Sequence, residues 1–126
     1  MHAGSAYQAL VLCWRNGQRS PIHDHASSHC ALKIMQGVAT ETVFEFAPNE
    51  MVYPVSSRSL PAGSVCGNRG CDIHQVSNLQ PGDADLVTLH IYSPPLLSMS
   101  AFSLHDARVS QFLDPVNDEF VSGAGI

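Results

Sequence analysis

The fold of this chain is decided by the stretch Gly17–Gly37, which reads GQRSPIHDHASSHCALKIMQG. Within it His23 and His25 stand two residues apart, and residues with that spacing lie on one face of a β-strand. Two imidazoles on one face can converge on a single metal ion. The stretch therefore predicts a pair of metal ligands carried by one strand.

Turn signals divide the rest of the chain into short segments. The predicted strands are Tyr7–Trp14, His29–Met35, Ala39–Phe46, Glu50–Tyr53 and Leu86–Tyr92. Short strands between regular turns are typical of an all-β sandwich or barrel. Because no apolar period of 3.6 residues extends beyond about ten residues, we expect any helix to be short and peripheral.

Side-chain alternation assigns faces to two of these strands. Cys30 falls on the apolar, inward face of His29–Met35. In Leu86–Tyr92 the residues Thr88, His90 and Tyr92 share a polar face. That face can belong to an ordinary sheet and meet water, which alternation alone favours. Alternatively, it lines the interior of a barrel that holds a site.

The composition limits the class of protein. A chain of 126 residues with 44% hydrophobic residues fits one domain, 1–126, with a real core. Its six lysines and arginines are scattered and the net charge is −5, so we expect no nucleic-acid partner. No apolar run approaches the ~20 residues of a membrane span, so no membrane partner is expected. Four cysteines are too few to staple the domain, which favours reduced thiols in a cytoplasmic protein.

A third histidine completes the metal pattern. His74 is followed four residues later by Asn78. Together with the first stretch, this spacing resembles the two sequence motifs of the cupin superfamily. Cys30 occupies the position of the usual acidic ligand, and the usual proline and glycine before the second-motif histidine are missing. The resemblance then implies a metal held by three neutral histidines and no carboxylate.

A narrower resemblance follows from two blocks, the run from His23 to Gly37 and the run Leu89–Pro95, LHIYSPP. Both resemble the cysteine dioxygenases, and the likeness extends over about Ala6 to Phe102. It implies a cupin-type double-stranded β-helix, or jelly-roll, barrel of six to eight strands. It also implies an iron(II)-dependent thiol dioxygenase that oxidises L-cysteine with O2 to cysteine sulfinate, with Fe(2+) on His23, His25 and His74. Three unrelated histidines are the alternative.

The resemblance also implies roles for the second block. Cys30 and Tyr92 would form a thioether crosslink, and the hydroxyl of Tyr92 would assist at the reacting centre. His90 would orient Tyr92, and Thr88 would orient His90 in turn. Cys30 as a buried, inert thiol remains an open alternative, because free cysteine is commonly buried.

The family also implies an arginine for the substrate carboxylate, on a strand upstream of the first motif. The chain begins too late to contain it, so we expect an N-terminally shortened barrel. Arg15 and Arg19 flank the Asn16-Gly17 turn and receive no role. This leaves two further hypotheses, a dioxygenase for 3-mercaptopropionate or another small thiol, and a non-catalytic metal-binding cupin remnant. We expect the partners to be a small thiol and O2, and the protein to be a monomer.

Overall fold

The computed structural model describes residues 2–3, 6–69, 72–96 and 98–113. Eleven strands lie in this part of the chain: β1 (His2–Ala3), β2 (Gln8–Trp14), β3 (Ile22–His23), β4 (His29–Gln36), β5 (Val38–Phe46), β6 (Val52–Pro61), β7 (Val65–Asn68), β8 (Ile73–Ser77), β9 (Leu86–Ser93), β10 (Ser98–Phe102) and β11 (Val109–Leu113). The same residues contain no helix, so none that is long and apolar enough to cross a membrane.

The strands form two antiparallel sheets. One has five strands in the order β1-β2-β9-β4-β7, and the other has six in the order β11-β10-β3-β8-β5-β6. Successive strands from β2 to β5, and again from β6 to β10, alternate between the two sheets. This alternation winds the chain around a common interior, as in a double-stranded β-helix. The predicted all-β class is confirmed, although the described residues form eleven strands and not the six to eight expected.

Four of the five predicted strands are present to within a residue or two, but the prediction of Glu50–Tyr53 was wrong. The strand there is β6, which starts at Val52 and extends to Pro61. Because β6 is the edge strand of its sheet, most of its side chains face solvent and show no apolar alternation. Pro54 also signals against a strand, although an edge strand tolerates proline.

The placement of both motif histidines on one strand was also wrong. Strand β3 ends at His23, and His25 follows it in a turn where Ala26 has a φ of 49°. The backbone thus leaves the ladder between the two histidines. Both side chains are nevertheless buried, so the turn returns the second imidazole to the interior.

The core lies between the two sheets. One cluster joins residues of both sheets, namely Trp14, Leu32, Ile34, Ala39, Leu60, Val76 and Leu86. A second cluster consists of Leu10, Cys30, Tyr92, Leu96 and Met99. The inward face of β4, with Cys30 among its buried residues, therefore contributes to both clusters.

Asn78, the asparagine of the second motif, is a structural residue. Its buried side-chain amide donates hydrogen bonds of 2.9 Å to the carbonyls of Trp14 and Ala84. Its Oδ1 accepts from the side chain of Gln80, whose Oε1 accepts in turn from the amide of Val38. These bonds fasten three turns at one end of the barrel without involving the histidines.

Gly37 lies in this network and has a φ of +84°, where an added Cβ would stand 2.6 Å from the carbonyl oxygen of Asp85. We expect Gly37→Ala to lower the free energy of unfolding by about 2–5 kcal/mol, because backbone strain and a steric clash add. Gly63→Ala is the matched control, since Gly63 has a φ of +91° and nothing within 4 Å of the added Cβ. Strain alone should cost it about 1–2 kcal/mol. Urea denaturation followed by circular dichroism measures both, and equal losses would contradict the clash.

Candidate metal centre

Three buried histidines meet inside the barrel. His23 on β3 and His74 on β8 are direct cross-strand partners, and His25 reaches the same point from its turn. One ring nitrogen from each lies within 4.8 Å of the others. The ring centroids are 4.7–5.0 Å apart. The register of two neighbouring strands therefore brings together residues 51 positions apart in the chain, from 23 to 74.

Hydrogen bonds at the far side of two rings decide which nitrogen faces the centre. Nδ1 of His23 lies 2.8 Å from the carbonyl oxygen of Pro21, and Nδ1 of His74 lies 2.9 Å from Oε2 of Glu41. Both acceptors require N–H at Nδ1, which in the neutral ring leaves Nε2 with its lone pair. Nε2 of His74 is 3.3 Å from Nε2 of His25. The third ring also offers its Nε2 toward the cluster.

The donor set fits a metal ion. Imidazole nitrogens bind first-row metals at about 2.0–2.1 Å, so two ligands of one ion can stand up to about 4.2 Å apart. The separation of 3.3 Å between His25 and His74 falls within that limit, and the full set of donor atoms, within 4.8 Å of one another, is close to it. Three imidazoles suit zinc, copper, iron and nickel alike. His23, His25 and His74 can therefore hold a divalent metal, and their donor atoms alone do not select iron.

Burial keeps these imidazoles in the form that binds metal. Desolvation, reinforced by the neighbouring histidines, holds the pKa of His23 well below its usual range and lowers the pKa of His25 to about 3. Desolvation likewise lowers the pKa of His90 to about 3, with a further contribution from His74. At neutral pH no proton therefore competes with a metal cation for the ring nitrogens of His23 and His25.

The polar face of β9 lies inside the barrel. Thr88, His90 and Tyr92 are all buried, together with Leu86 on the same face. Alternation alone favoured a solvent-exposed face, but the six-stranded sheet covers it. The interior of this barrel is polar because it contains the three histidines opposite β9.

These side chains form a ladder that reaches the histidine cluster. The indole Nε1 of Trp14 donates to Oγ1 of Thr88 at 2.8 Å, and Oγ1 of Thr88 is 2.8 Å from Nε2 of His90. Because the indole can only donate, the threonine proton remains available for His90. The ring of Tyr92 follows, 6.2 Å from His90 and 5.7 Å from His25 between centroids. The role of Trp14 at the base of the ladder was not predicted.

Cys30 and Tyr92 are directly opposed on β4 and β9. Directly opposed residues have Cβ atoms about 4.5–5.5 Å apart, which lets the thiol reach the neighbouring ring. Leu10, Leu96 and Met99 enclose the pair. Burial, with smaller contributions from Cys66 and Glu41, raises the pKa of the Cys30 thiol to about 12. Cys30 is therefore a protonated, free thiol beside the tyrosine.

The buried carboxylate of Glu41 lies behind the cluster and was not predicted from the sequence. Burial alone would raise the pKa of Glu41, but hydrogen bonds from His74 and Arg58 outweigh it and lower the pKa to about 2. Its inward position on the predicted strand Ala39–Phe46 was the available signal. Glu41 is two residues from Ala39 and so shares its apolar face. A glutamate on such a face needs a buried partner.

Several other candidate residues lie outside the site. Arg15 and Arg19 are exposed, and so are His29 and His105. Cys66 is half-buried on β7, whereas Cys71 lies outside the described residues. Within the described ranges, Arg58 is the arginine that approaches the cluster, and its guanidinium is bonded to Glu41.

The buried histidines predict an acid-sensitive fold. In the unfolded chain His25 and His90 take up protons near pH 6.5, whereas the folded, metal-free protein resists this until pH falls to about 3. The unfolded state therefore binds more protons, and the free energy of unfolding should fall as pH decreases from 6.5 toward 3. Each histidine contributes up to about 1.4 kcal/mol per pH unit.

His90→Asn tests this by removing one of the buried histidines whose pKa is lowered. Urea denaturation of the metal-free protein between pH 7 and 4 should give a shallower pH slope for His90→Asn than for the wild type. His29→Ala, which removes an exposed histidine, should leave the slope unchanged. A slope that is the same in all three proteins would contradict the prediction.

Comparison with known proteins agrees with this geometry. The family described as Cysteine dioxygenase type I matches residues 2–105. The chain is 38% identical over 100 residues to "Cysteine dioxygenase type 1" of Rattus norvegicus, a match that covers 76% of this chain and 49% of the relative. The protein of the same name from Bos taurus is 32% identical over 119 residues, covering 90% and 58%. The chain thus spans about half the length of the curated relatives it matches.

Solved structures agree on the fold. A Klebsiella pneumoniae protein with a double-stranded β-helix domain superimposes with a TM-score of 0.62 at 13% identity, covering 90% of this chain and 74% of that one. An RmlC-like cupin from Methanocaldococcus jannaschii gives a TM-score of 0.59 at 14% identity, covering 74% of each chain. The predicted cupin-type fold is therefore confirmed. With the family match over most of its length, the chain belongs to the cysteine dioxygenase type I family.

Proposed function

We propose that this protein is an iron(II)-dependent thiol dioxygenase that converts L-cysteine and O2 to cysteine sulfinate. The observation that carries the proposal is the arrangement of His23, His25 and His74 opposite the Tyr92 ladder, in a chain of this family. A bare cluster of three histidines would fit many metalloproteins. The buried tyrosine beside it supplies a second functional group at the same point.

The three histidines are the proposed iron ligands. Bound Fe(2+) would supply the redox chemistry that activates dioxygen and adds both of its atoms to the substrate sulfur. Because imidazole ligands are neutral, they leave the centre with an excess of positive charge. That charge would attract an anionic thiolate and favour loss of the substrate thiol proton.

Tyr92 is the proposed catalytic side chain. Its ring packs against His25, so its hydroxyl belongs to the interior and can donate a hydrogen bond to the substrate or to dioxygen. His90 and Thr88 are positioning residues below it. The bond from Trp14 to Thr88 and the contact from Thr88 to His90 restrict both rotamers, which limits where the tyrosine ring can rest.

Burial gives the centre a dry environment. The histidines, Tyr92 and Thr88 are all nearly inaccessible to solvent. Electrostatic interactions are stronger in such an interior than in water. Exclusion of water also protects reactive species from side reactions.

Among the described arginines, Arg58 is bonded to Glu41 and the others are exposed, so none is free to hold a carboxylate inside the barrel. A related enzyme for 3-mercaptopropionate or another small thiol is therefore the second candidate. A panel of L-cysteine, 3-mercaptopropionate and cysteamine separates them by the presence of the amine and of the carboxylate.

Oxygen uptake tests the activity directly. The chain is loaded with Fe(2+) without oxygen, and O2 consumption and sulfinate are then measured with each thiol. We expect L-cysteine to give sulfinate with about one O2 consumed per product, and His25→Ala to abolish turnover because a ligand is lost. His29→Ala, an exposed histidine four residues further on, should retain activity.

The outcomes separate the candidate functions. Preference for 3-mercaptopropionate or cysteamine would replace L-cysteine as the substrate. Binding of metal without turnover of any thiol would make the chain a non-catalytic metal-binding cupin and reject the dioxygenase.

The Cys30–Tyr92 thioether is a separate prediction. Formation of the sulfur–carbon bond removes one hydrogen from the thiol and one from the ring, with O2 as the oxidant. After turnover, mass spectrometry should find the peptides of β4 and β9 joined, with a loss of two hydrogen atoms. Cys30→Ser should abolish the link, whereas Cys13→Ser, an exposed cysteine on β2, should not. Separate peptides after prolonged turnover would contradict the crosslink.

A further inference from the structure

A row of three polar side chains crosses the six-stranded sheet and ends at the histidine cluster. Arg58 on β6 is directly opposite Glu41 on β5. His74 on β8 is directly opposite Val43, two residues beyond Glu41, so the carboxylate and the imidazole are diagonal neighbours on one face. The register of three strands therefore aligns these groups, although 17 and 33 residues separate them from Glu41 in the chain.

The hydrogen bonds divide the carboxylate between its two neighbours. Oε2 accepts from Nδ1 of His74 at 2.9 Å, while Oε1 accepts from Nε and Nη2 of Arg58 at 2.9 and 2.7 Å. The Glu41 side chain is 1% exposed and that of Arg58 is 55% exposed. The row thus runs from the surface to the buried cluster, and each carboxylate oxygen of Glu41 accepts from a different neighbour.

We propose that Glu41 and Arg58 are positioning residues that set the tautomer of His74 and thereby make its Nε2 available to a metal. An acceptor that has no proton can only receive N–H from Nδ1, so in the neutral ring Nε2 keeps its lone pair. The donors of Arg58 hold the carboxylate in the rotamer that reaches the imidazole. The inference rests on the proposed metal site and names two residues that control it without touching the ion.

The isosteric change Glu41→Gln has an unusual expected effect. Arg58 offers only donors, so the single oxygen of the new amide should turn toward it. The amide nitrogen, also a donor, would then face His74 and favour the tautomer with the proton on Nε2. In that tautomer Nε2 is blocked, and metal binding must first move the proton.

Removal of Arg58 from the Glu41→Gln variant should free Nε2 of His74 again. In the double variant Glu41→Gln/Arg58→Met no donor competes for the amide oxygen, which can turn to accept from Nδ1 of His74. We therefore expect the second substitution to restore part of the affinity that the first one removes. Arg58→Met alone should cost less than about 5-fold, as expected for an exposed ion pair.

Cobalt(II) is the probe, since it binds such sites and gives visible absorption bands. Competition titration against a chelator should show about 10- to 100-fold weaker Co(2+) binding for Glu41→Gln. Glu45→Gln is the matched control, because it makes the same change at an exposed position of the same strand and should bind like the wild type. Circular dichroism verifies folding first. If Glu41→Gln does not fold, Glu41→Asp, which is too short to span both neighbours, takes its place with the same expected weakening.

Nitrogen NMR of the metal-free protein gives a readout independent of metal. The ¹⁵N shifts of His74 should report the proton on Nδ1 in the wild type and on Nε2 in Glu41→Gln. Co(2+) affinity equal to that of Glu45→Gln, or no recovery in the double variant, would overturn the inference. A wild-type protein that binds no Co(2+) or Fe(2+) would instead overturn the metal site itself.

Discussion

Four imidazoles, those of His23, His25, His74 and His90, are buried inside this barrel, and the need to pair their ring nitrogens organises the structure around them. A buried ring nitrogen without a partner costs about 1–3 kcal/mol. The fold provides partners at the outer side of three of the four rings, namely a backbone carbonyl for His23, a carboxylate for His74 and a hydroxyl for His90, whereas Nδ1 of His25 has none. Each partner comes from a different element. The orientation of the site is therefore a property of the whole barrel and not of the motif loop.

Each of the two sheets contributes a different part of the site. The six-stranded sheet carries His23 and His74 as a direct cross-strand pair, whereas the five-stranded sheet supplies Tyr92 and the ladder below it. The site exists only where the faces meet, and apolar clusters enclose it. A substitution that slid one strand by a single residue would turn its inward side chains to the other face and dismantle the site.

The sequence was most informative where spacing and chemistry agreed. The three histidines and the polar residues of β9 could be named in advance, because a β-strand repeats every second residue and a family resemblance supplied their context. It was less informative about paths of the backbone. The end of β3 at His23 and the full length of the edge strand β6 were not predicted, since short and edge strands lack apolar alternation. Glu41 could have been suspected as an inward glutamate, but its pairing with Arg58 depends on a register that only the folded sheet defines.

Trp14 has a consequence beyond packing. It is the single tryptophan of the chain, and its buried indole donates to Thr88 while its ring lies 6.4 Å from that of His90. The intrinsic fluorescence of the protein therefore arises from one ring at the base of the ladder. Emission of an indole responds to its hydrogen bond and to a charged imidazole nearby. The protein thus contains its own optical reporter, which can follow events beneath Tyr92 without any attached label.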